Sequence, residues 1–269
     1  MKIVIIAMDD PLYTNRFIKE IIDARPGDIA GFVYVSKGNR MTIGKDKSKA
    51  AYLLSLLLIM GLLHFISHAC KTVLHKIQIK LSKKLSFVSN PLVINYAQGM
   101  GIKTFEIDNP NSKEFLNILR RLNPDVIINQ SQSIIKKELL QVPKIGVINR
   151  HNALLPKNRG RLTPFWVLYR GEEETGISIH FVDEGIDSGK IIVQKKYKVK
   201  ITDTFNSLVK RNYEIAGKAL LEALDILESG DYSLIPNDDE CATYNSTPDV
   251  KHAWEYRKKR MIGCWSGRM

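Results

Sequence analysis

Cysteine is scarce in this 269-residue sequence: Cys70, Cys241 and Cys264 are the only three, and no two form a C-x-x-C pair. An odd, unpaired set speaks against a secreted disulfide framework and for reduced thiols, so a cytoplasmic location is expected. The N-terminal MKIVIIAMDD has an apolar run too short for a signal peptide and reads as a first buried strand. Internal repeats and low-complexity segments are missing. Acidic residues are the minority, 28 against 40 Lys and Arg, for a net charge of +12. That imbalance implies an anionic neighbour but does not distinguish nucleic acid, a phosphorylated substrate or a lipid surface. A hydrophobic content of 44% excludes disorder and is ample for a buried core.

Strand-like and helix-like stretches alternate along the chain. Apolar runs at 2–8, 29–35, 104–107 and 126–129 are separated by helical patterns around 13–22, 92–99 and 112–122. Further strands are expected at 146–149, 176–181 and 190–195, with helices at 164–170 and over 216–227. In the last of these, Ala216, Ala219, Leu220, Ala223, Leu224 and Leu227 trace one stripe. This order points to an α/β fold with a doubly wound, mostly parallel sheet. Residues 1–230 are read as one domain carrying a helical insertion at 38–86, and 231–269 as a polar C-terminal tail.

The insertion concentrates the charge, with ten Lys/Arg and one acid, Asp46, between Lys37 and Lys84. Within it, Ala50 to Cys70 gives 21 positions without a formal charge, long enough for a membrane span. A single crossing would separate strands of one sheet, and the lysines after Cys70 bar a second crossing. His64, His68, Lys71 and His75 recur at helical spacing, so the second half has a polar face and reads as a helix lying at a membrane surface through residues 50–86. A buried helical hairpin or an oligomer contact in a homodimer is the alternative.

Chemistry is suggested by GVINRHNALLPKNRG, where strand alternation puts Asn149 and His151 on the same side. Reactive groups gather at C-terminal strand ends in such sheets, although a lone strand-end histidine is more often structural. In FVDEGIDSGKIIVQ, a loop between Gly185 and Gly189 presents Asp187, with Asp183 and Glu184 as competitors. Loop acids are commonly solvated turn residues.

Taken together, N-x-H at Asn149 and His151, LLPKNRG at 154–160, RGEEETGISIHFVDEGIDSGKIIVQ at 170–194, DT at 203–204 and PDVIINQ at 124–130 resemble the folate-dependent formyltransferases. That group includes methionyl-tRNA, phosphoribosylglycinamide and nucleotide-sugar formyltransferases. The resemblance implies a Rossmann-like formyltransferase fold and a catalytic set of Asn149, His151 and Asp187. It also implies 10-formyltetrahydrofolate as co-substrate, transferred to a primary amine. Asn149 and a protonated His151 would donate to the oxygen that becomes negative, and Asp187 would take the amine proton. Gln130, Ser133, Ile134, Ile135, Val182, Asp183 and Gly185 are the expected folate-binding residues, with backbone contacts prominent. No metal is expected, because the six histidines form no convincing ligand set.

Ala153 stands where the family often has serine, and Asn152 where proline or histidine is commoner. The first loop, AMDDPLYTN, lacks a glycine-rich phosphate cradle, which speaks against a purine-pathway acceptor. The segment after the long helix is shorter than the β-barrel of the tRNA enzymes, so nucleic acid is not favoured. An amino sugar on a nucleotide or lipid carrier is the expected acceptor, for surface-polysaccharide biosynthesis. The rivals are methionyl-tRNA-like or phosphoribosylglycinamide-like transfer, and hydrolysis of the formylated folate. Lys157, Arg159 and Arg161 are candidate anion contacts, and Tyr244, Trp254 and Tyr256 candidate stacking groups.

Overall fold

The computed structural model describes residues 1–36 and 48–261. The first part of the basic insertion and the chain end with Cys264 lie outside the described residues. The strands are β1 (Ile3–Ala7), β2 (Ile29–Val35), β3 (Thr104–Ile107), β4 (Val126–Gln130), β5 (Gly146–His151), β6 (Arg159–Gly160), β7 (Glu174–Phe181), β8 (Ile191–Lys198) and β9 (Tyr244–Asn245). The helices are α1 (Thr14–Ala24), α2 (Lys49–Met60), α3 (Leu62–Ser82), α4 (Val93–Gly99), α5 (Lys113–Leu122), α6 (Lys137–Leu140), α7 (Thr163–Arg170), α8 (Phe205–Glu214), α9 (Ala216–Ser229) and α10 (Val250–Met261).

Seven strands form one sheet in the order β3-β2-β1-β4-β5-β7-β8. The first five are parallel, and β7 and β8 continue antiparallel. The expected mostly parallel, doubly wound sheet is therefore present. Its apolar strands are buried on both faces, and β1 shows how. Ile3, Ile5 and Ala7 enter a core shared with α1, α4 and α9. Val4 and Ile6 enter the opposite core, with Phe115, Leu116 and Leu119 of α5. That is the period-two alternation of a strand with helices on both sides. Strand order reverses between β1 and β4, which opens a crevice at the carboxyl ends of these strands.

The insertion lies in the crossover from β2 to β3, and its long apolar run is not one helix. Gly61, at φ +80°, breaks it. Before the break, α2 is capped by Ser48, whose Oγ accepts from Ala51 N at 3.1 Å. It packs Ile59 into a third cluster with Phe165, Trp166, Leu208, Ala253 and Tyr256. After the break, α3 has no buried residue. Among the described residues no helix is long and apolar enough to cross a membrane.

The C-terminal segment, expected as a tail, folds back on the body. There β9 pairs with β6, and Ala253 and Tyr256 of α10 are core residues, which leaves Tyr256 no stacking role. Trp254 and Tyr244 remain exposed.

Candidate active site

Asn149 and His151 stand two residues apart at the end of β5. Beside Asn149, Gln130 closes β4 and donates its Nε2 to the Asn149 Oδ1 at 2.7 Å. Arg150 N donates to the same oxygen at 2.9 Å. With Oδ1 held twice, the Nδ2 of Asn149 is the side of the amide left to donate outward.

His151 is buried, and Asn158 fixes its orientation. The ring Nε2 lies 2.7 Å from the backbone oxygen of Asn158, so Nε2 carries a proton and donates. The Nδ1 edge faces Asp187, with Oδ2 at 3.4 Å. Both nitrogens thus look onto oxygens, Nε2 through a hydrogen bond and Nδ1 at a longer distance. Asn158 is itself held on every side. Its Nδ2 donates to the Glu172 carboxylate at 2.9 Å. Its Oδ1 accepts from Arg170 at 2.6 Å and Asn245 at 2.9 Å, and its N donates to Thr243 at 2.8 Å. The loop around it contains the cis Leu155–Pro156 bond.

Asp187 adopts a left-handed backbone, φ 50°, which Asp tolerates better than most side chains. Gly160 N donates to its Oδ2 at 2.8 Å. Asn237 Nδ2 donates to the Asp187 and Gly189 carbonyls at 2.9 and 2.8 Å. Asn237 in turn accepts from the buried Arg159, which also binds Asp239 and Tyr244. Arg159 is therefore an internal anchor of this loop, and its expected role as an anion contact is corrected.

A second histidine, His180, completes the cluster. Its Nε2 lies 3.7 Å from Asp187 Oδ1 and has no hydrogen-bond partner, though buried. Its ring sits edge-on to His151 at 6.3 Å. Burial, opposed by the nearby Asp187, pushes the His180 pKa down to about 4, so the ring is neutral at pH 7 and its Nδ1 donates to Phe181 O at 2.8 Å. Sequence reasoning missed His180, Asn158, Gly160 and Asn237. The first three lie inside the quoted motifs, whereas nothing in the sequence marked Asn237.

The expected folate segments face each other. Ile135 and Val182 pack in one cluster, and Lys137 Nζ reaches Glu184 Oε1 at 3.9 Å. Ile135 is buried as core packing, while Ile134 is 63% exposed. Ser133 has a buried hydroxyl without a hydrogen-bond partner. Asp183 accepts from Gly185 N at 3.1 Å and from Ser188 Oγ at 2.6 Å, which shapes the turn. The competitor acids thus differ from Asp187: Asp183 builds the turn, Glu184 points to Lys137, and Asp187 meets the histidines. The DT pair is structural. Thr204 and Ser207 form a capping box for α8, and Asp203 binds Arg211 at 3.0 Å.

A cavity of about 520 Å³ opens among the loop after β1, α3 and α8, lined by Arg16, His64, His68, Lys71, Lys210 and Glu214 among others. Asn149, His151 and Asp187 do not line it. Tyr213, also in its wall, carries the Arg150 guanidinium over its ring at 4.3 Å. Burial, then Lys71 and His64, lower the His68 pKa, and Arg16, Lys71 and Lys210 bring permanent positive charge to the lining. The N-terminus of α1 beside it holds no open anion site. The Asp10 carboxylate accepts from Thr14 N at 3.2 Å, Thr14 Oγ1 at 2.8 Å and Leu12 N at 2.9 Å. An internal anion thus stands where a glycine-rich loop would bind a phosphate.

Residues 80–224 match the family described as Formyl transferase. The methionyl-tRNA formyltransferase of Kosmotoga olearia is 36% identical over 149 residues, 55% of this chain and 48% of that protein. The chain spans about half the length of the curated relatives it matches. Glycinamide ribonucleotide transformylase 1 from Symbiobacterium toebii is similar in structure, with a TM-score of 0.58 and 16% identity over 88% of this chain and 94% of that one. An N-formyltransferase from Helicobacter canadensis, solved with folinic acid and dTDP-3-aminofucose, gives 0.59 at 16% identity over 97% and 80%. At such identities the likeness shows a shared fold.

Proposed function

Given that this chain belongs to the formyl transferase family, we propose that it transfers a formyl group from 10-formyltetrahydrofolate to a primary amine, with Asn149, His151 and Asp187 as the catalytic residues. The convergence of Asn149, His151 and Asp187 at the carboxyl end of β5 carries this reading. 10-Formyltetrahydrofolate supplies the activated formyl carbon. Gln130 holds Asn149 so that its Nδ2 donates to the formyl oxygen. His151, with Nε2 committed to Asn158, offers Nδ1–H to the same oxygen as negative charge develops there. Asp187 steadies the charged ring and accepts the amine proton. As the tetrahedral centre collapses, the bond from the formyl carbon to the folate nitrogen breaks, and that proton passes to the nitrogen as tetrahydrofolate leaves. The partnerless hydroxyl of Ser133 and the exposed Ile134 fit a folate ring held between residues 130–135 and 182–185. Gln130, Ser133, Ile134, Ile135, Val182, Asp183 and Gly185 would hold it, Ile135 through its backbone. In this reading Asn237 makes the C-terminal segment part of the catalytic unit.

The acceptor is an amino sugar on a nucleotide or lipid carrier. Arg16, Lys71 and Lys210 in the cavity wall suit the phosphates of such a carrier, and Asp10 at the start of α1 argues against a phosphate held there. The K. olearia relative's name favours methionyl-tRNA as the second reading. An acceptor screen with 10-formyltetrahydrofolate decides between them. It should include UDP- and dTDP-linked amino sugars, glycinamide ribonucleotide and methionyl-tRNA, with products weighed by mass spectrometry. A formylated amino sugar is expected. Formylation of methionyl-tRNA alone overturns the acceptor, and release of formate without any formylated amine overturns transfer.

A further inference from the structure

α3 is an amphipathic helix turned inside out. Its polar face points at the protein: His75 Nε2 meets the Asp9 carboxylate at 2.7 Å, and His68 Nε2 meets the Tyr13 hydroxyl at 3.4 Å. Its apolar face points at solvent. Leu63, Ile66, Val73, Leu74, Ile77 and Leu81 are all exposed, Leu63 by 82% and Leu74 by 63%. Their spacing of three, four and seven residues puts them on one side of a helix about 30 Å long, and Phe87, 84% exposed, extends the patch past its end. A surface helix of a globular protein buries such a stripe, and a contiguous exposed one marks a site of association.

We propose that α3 docks the protein on an anionic phospholipid surface, its apolar face sunk at the boundary between headgroups and acyl chains. Charge complementarity selects this occupant. Lys76, Lys80, Lys83 and Lys84 are exposed on and just beyond the helix, where their stems can lie along the apolar face and their ammonium groups reach lipid phosphates. No Asp or Glu occurs between Asp46 and Glu106. A second copy meeting α3 through the same face would set lysines against lysines with no acid to offset them. Lipid docking stands apart from the acceptor's identity, although it would bring the cavity lined by His68 and Lys71 to the bilayer.

The test is co-sedimentation of the full chain with vesicles of phosphatidylglycerol and phosphatidylcholine, compared with phosphatidylcholine alone. Binding to the anionic vesicles that weakens in high salt is expected. The combined Leu63→Ser, Leu74→Ser and Ile77→Ser change should weaken it more than tenfold, and each of Lys76→Gln and Lys80→Gln by about fivefold. Should the serine variant misfold, a chain keeping Cys70 as its single cysteine provides a second reading. Cys70 is exposed on the apolar side of α3, so a polarity-sensitive dye there should shift to the blue with anionic vesicles. The same dye on Cys241, also exposed, should not shift. Equal binding to neutral vesicles, binding indifferent to the serine changes, or an unshifted Cys70 dye would overturn the proposal. So would a dimer abolished by the serine changes in a chain that ignores vesicles.

Discussion

Strand β5 and helix α3 each place a histidine beside a carboxylate, and they do so for opposite reasons. On β5, His151 faces Asp187 at 3.4 Å inside a shell of backbone and amide groups. On α3, His75 meets Asp9 at 2.7 Å and fastens a helix whose apolar side stays outside. The sheet provides β5 with two cores, so its side chains are placed by alternation. Helix α3 has no sheet to cover. Its inner side meets the polar loop after β1 and helps line a charged cavity, so its polar residues turn inward and its leucines outward. Hydrophobic residues mark the interior only where an element has a core to join.

Outside the proposed catalytic set, the largest effect is expected at Gly160, on the β5 side of this contrast. Its φ is +97°, and a Cβ there would lie 2.2 Å from the Asn245 carbonyl oxygen. Gly160→Ala must move the N–H that holds Asp187, and about a hundredfold loss of kcat is expected, since small displacements of reacting groups cost that much. Steady-state kinetics check it, and an unchanged kcat would detach Gly160 from the positioning of Asp187. Leucines separate the two regions next. Leu220→Ala, in the core under the sheet, should cost about 2–5 kcal/mol in urea unfolding. Leu74→Ser on α3 should change stability by less than about 0.5 kcal/mol, and a larger loss would show that α3 is packed in solution.

A further contrast is the pH response of His180, a buried histidine near the end of β7. Its pKa in the folded chain, about 4, is below the roughly 6.5 of an unfolded histidine. Between these values the unfolded chain binds a proton that the native chain does not, so stability rises with pH across the window and falls as pH drops from about 6.5 to 4. His180→Asn should flatten that part of the stability profile. An unchanged slope would mean that His180 titrates as in the unfolded chain.

Much of the fold could be read from residue order. The run KIVIIAM gave β1, the long helix showed its stripe from Ala216 to Leu227, and the N-x-H pair lay at the end of β5 as alternation requires. The shell of the site could not be read so directly. Asn158 acts on His151 through a backbone oxygen, which has no side-chain signature. Asn237 holds Asp187 from 50 residues away, a contact that only the folded sheet creates. Periodicity gave α3 two faces but could not say which turned inward, because that depends on the acid and hydroxyl of Asp9 and Tyr13 in a distant loop.

The most direct test of the catalytic reading is single-turnover formyl transfer by Asp187→Asn and His151→Ala, with folding checked by circular dichroism. Asp187→Asn keeps an oxygen for the Gly160 N–H but removes the charge. Each variant is expected to fold and to lose about a thousandfold or more in the chemical step. Transfer within a few-fold of wild type in either variant would contradict the assignment of Asn149, His151 and Asp187 as the catalytic set.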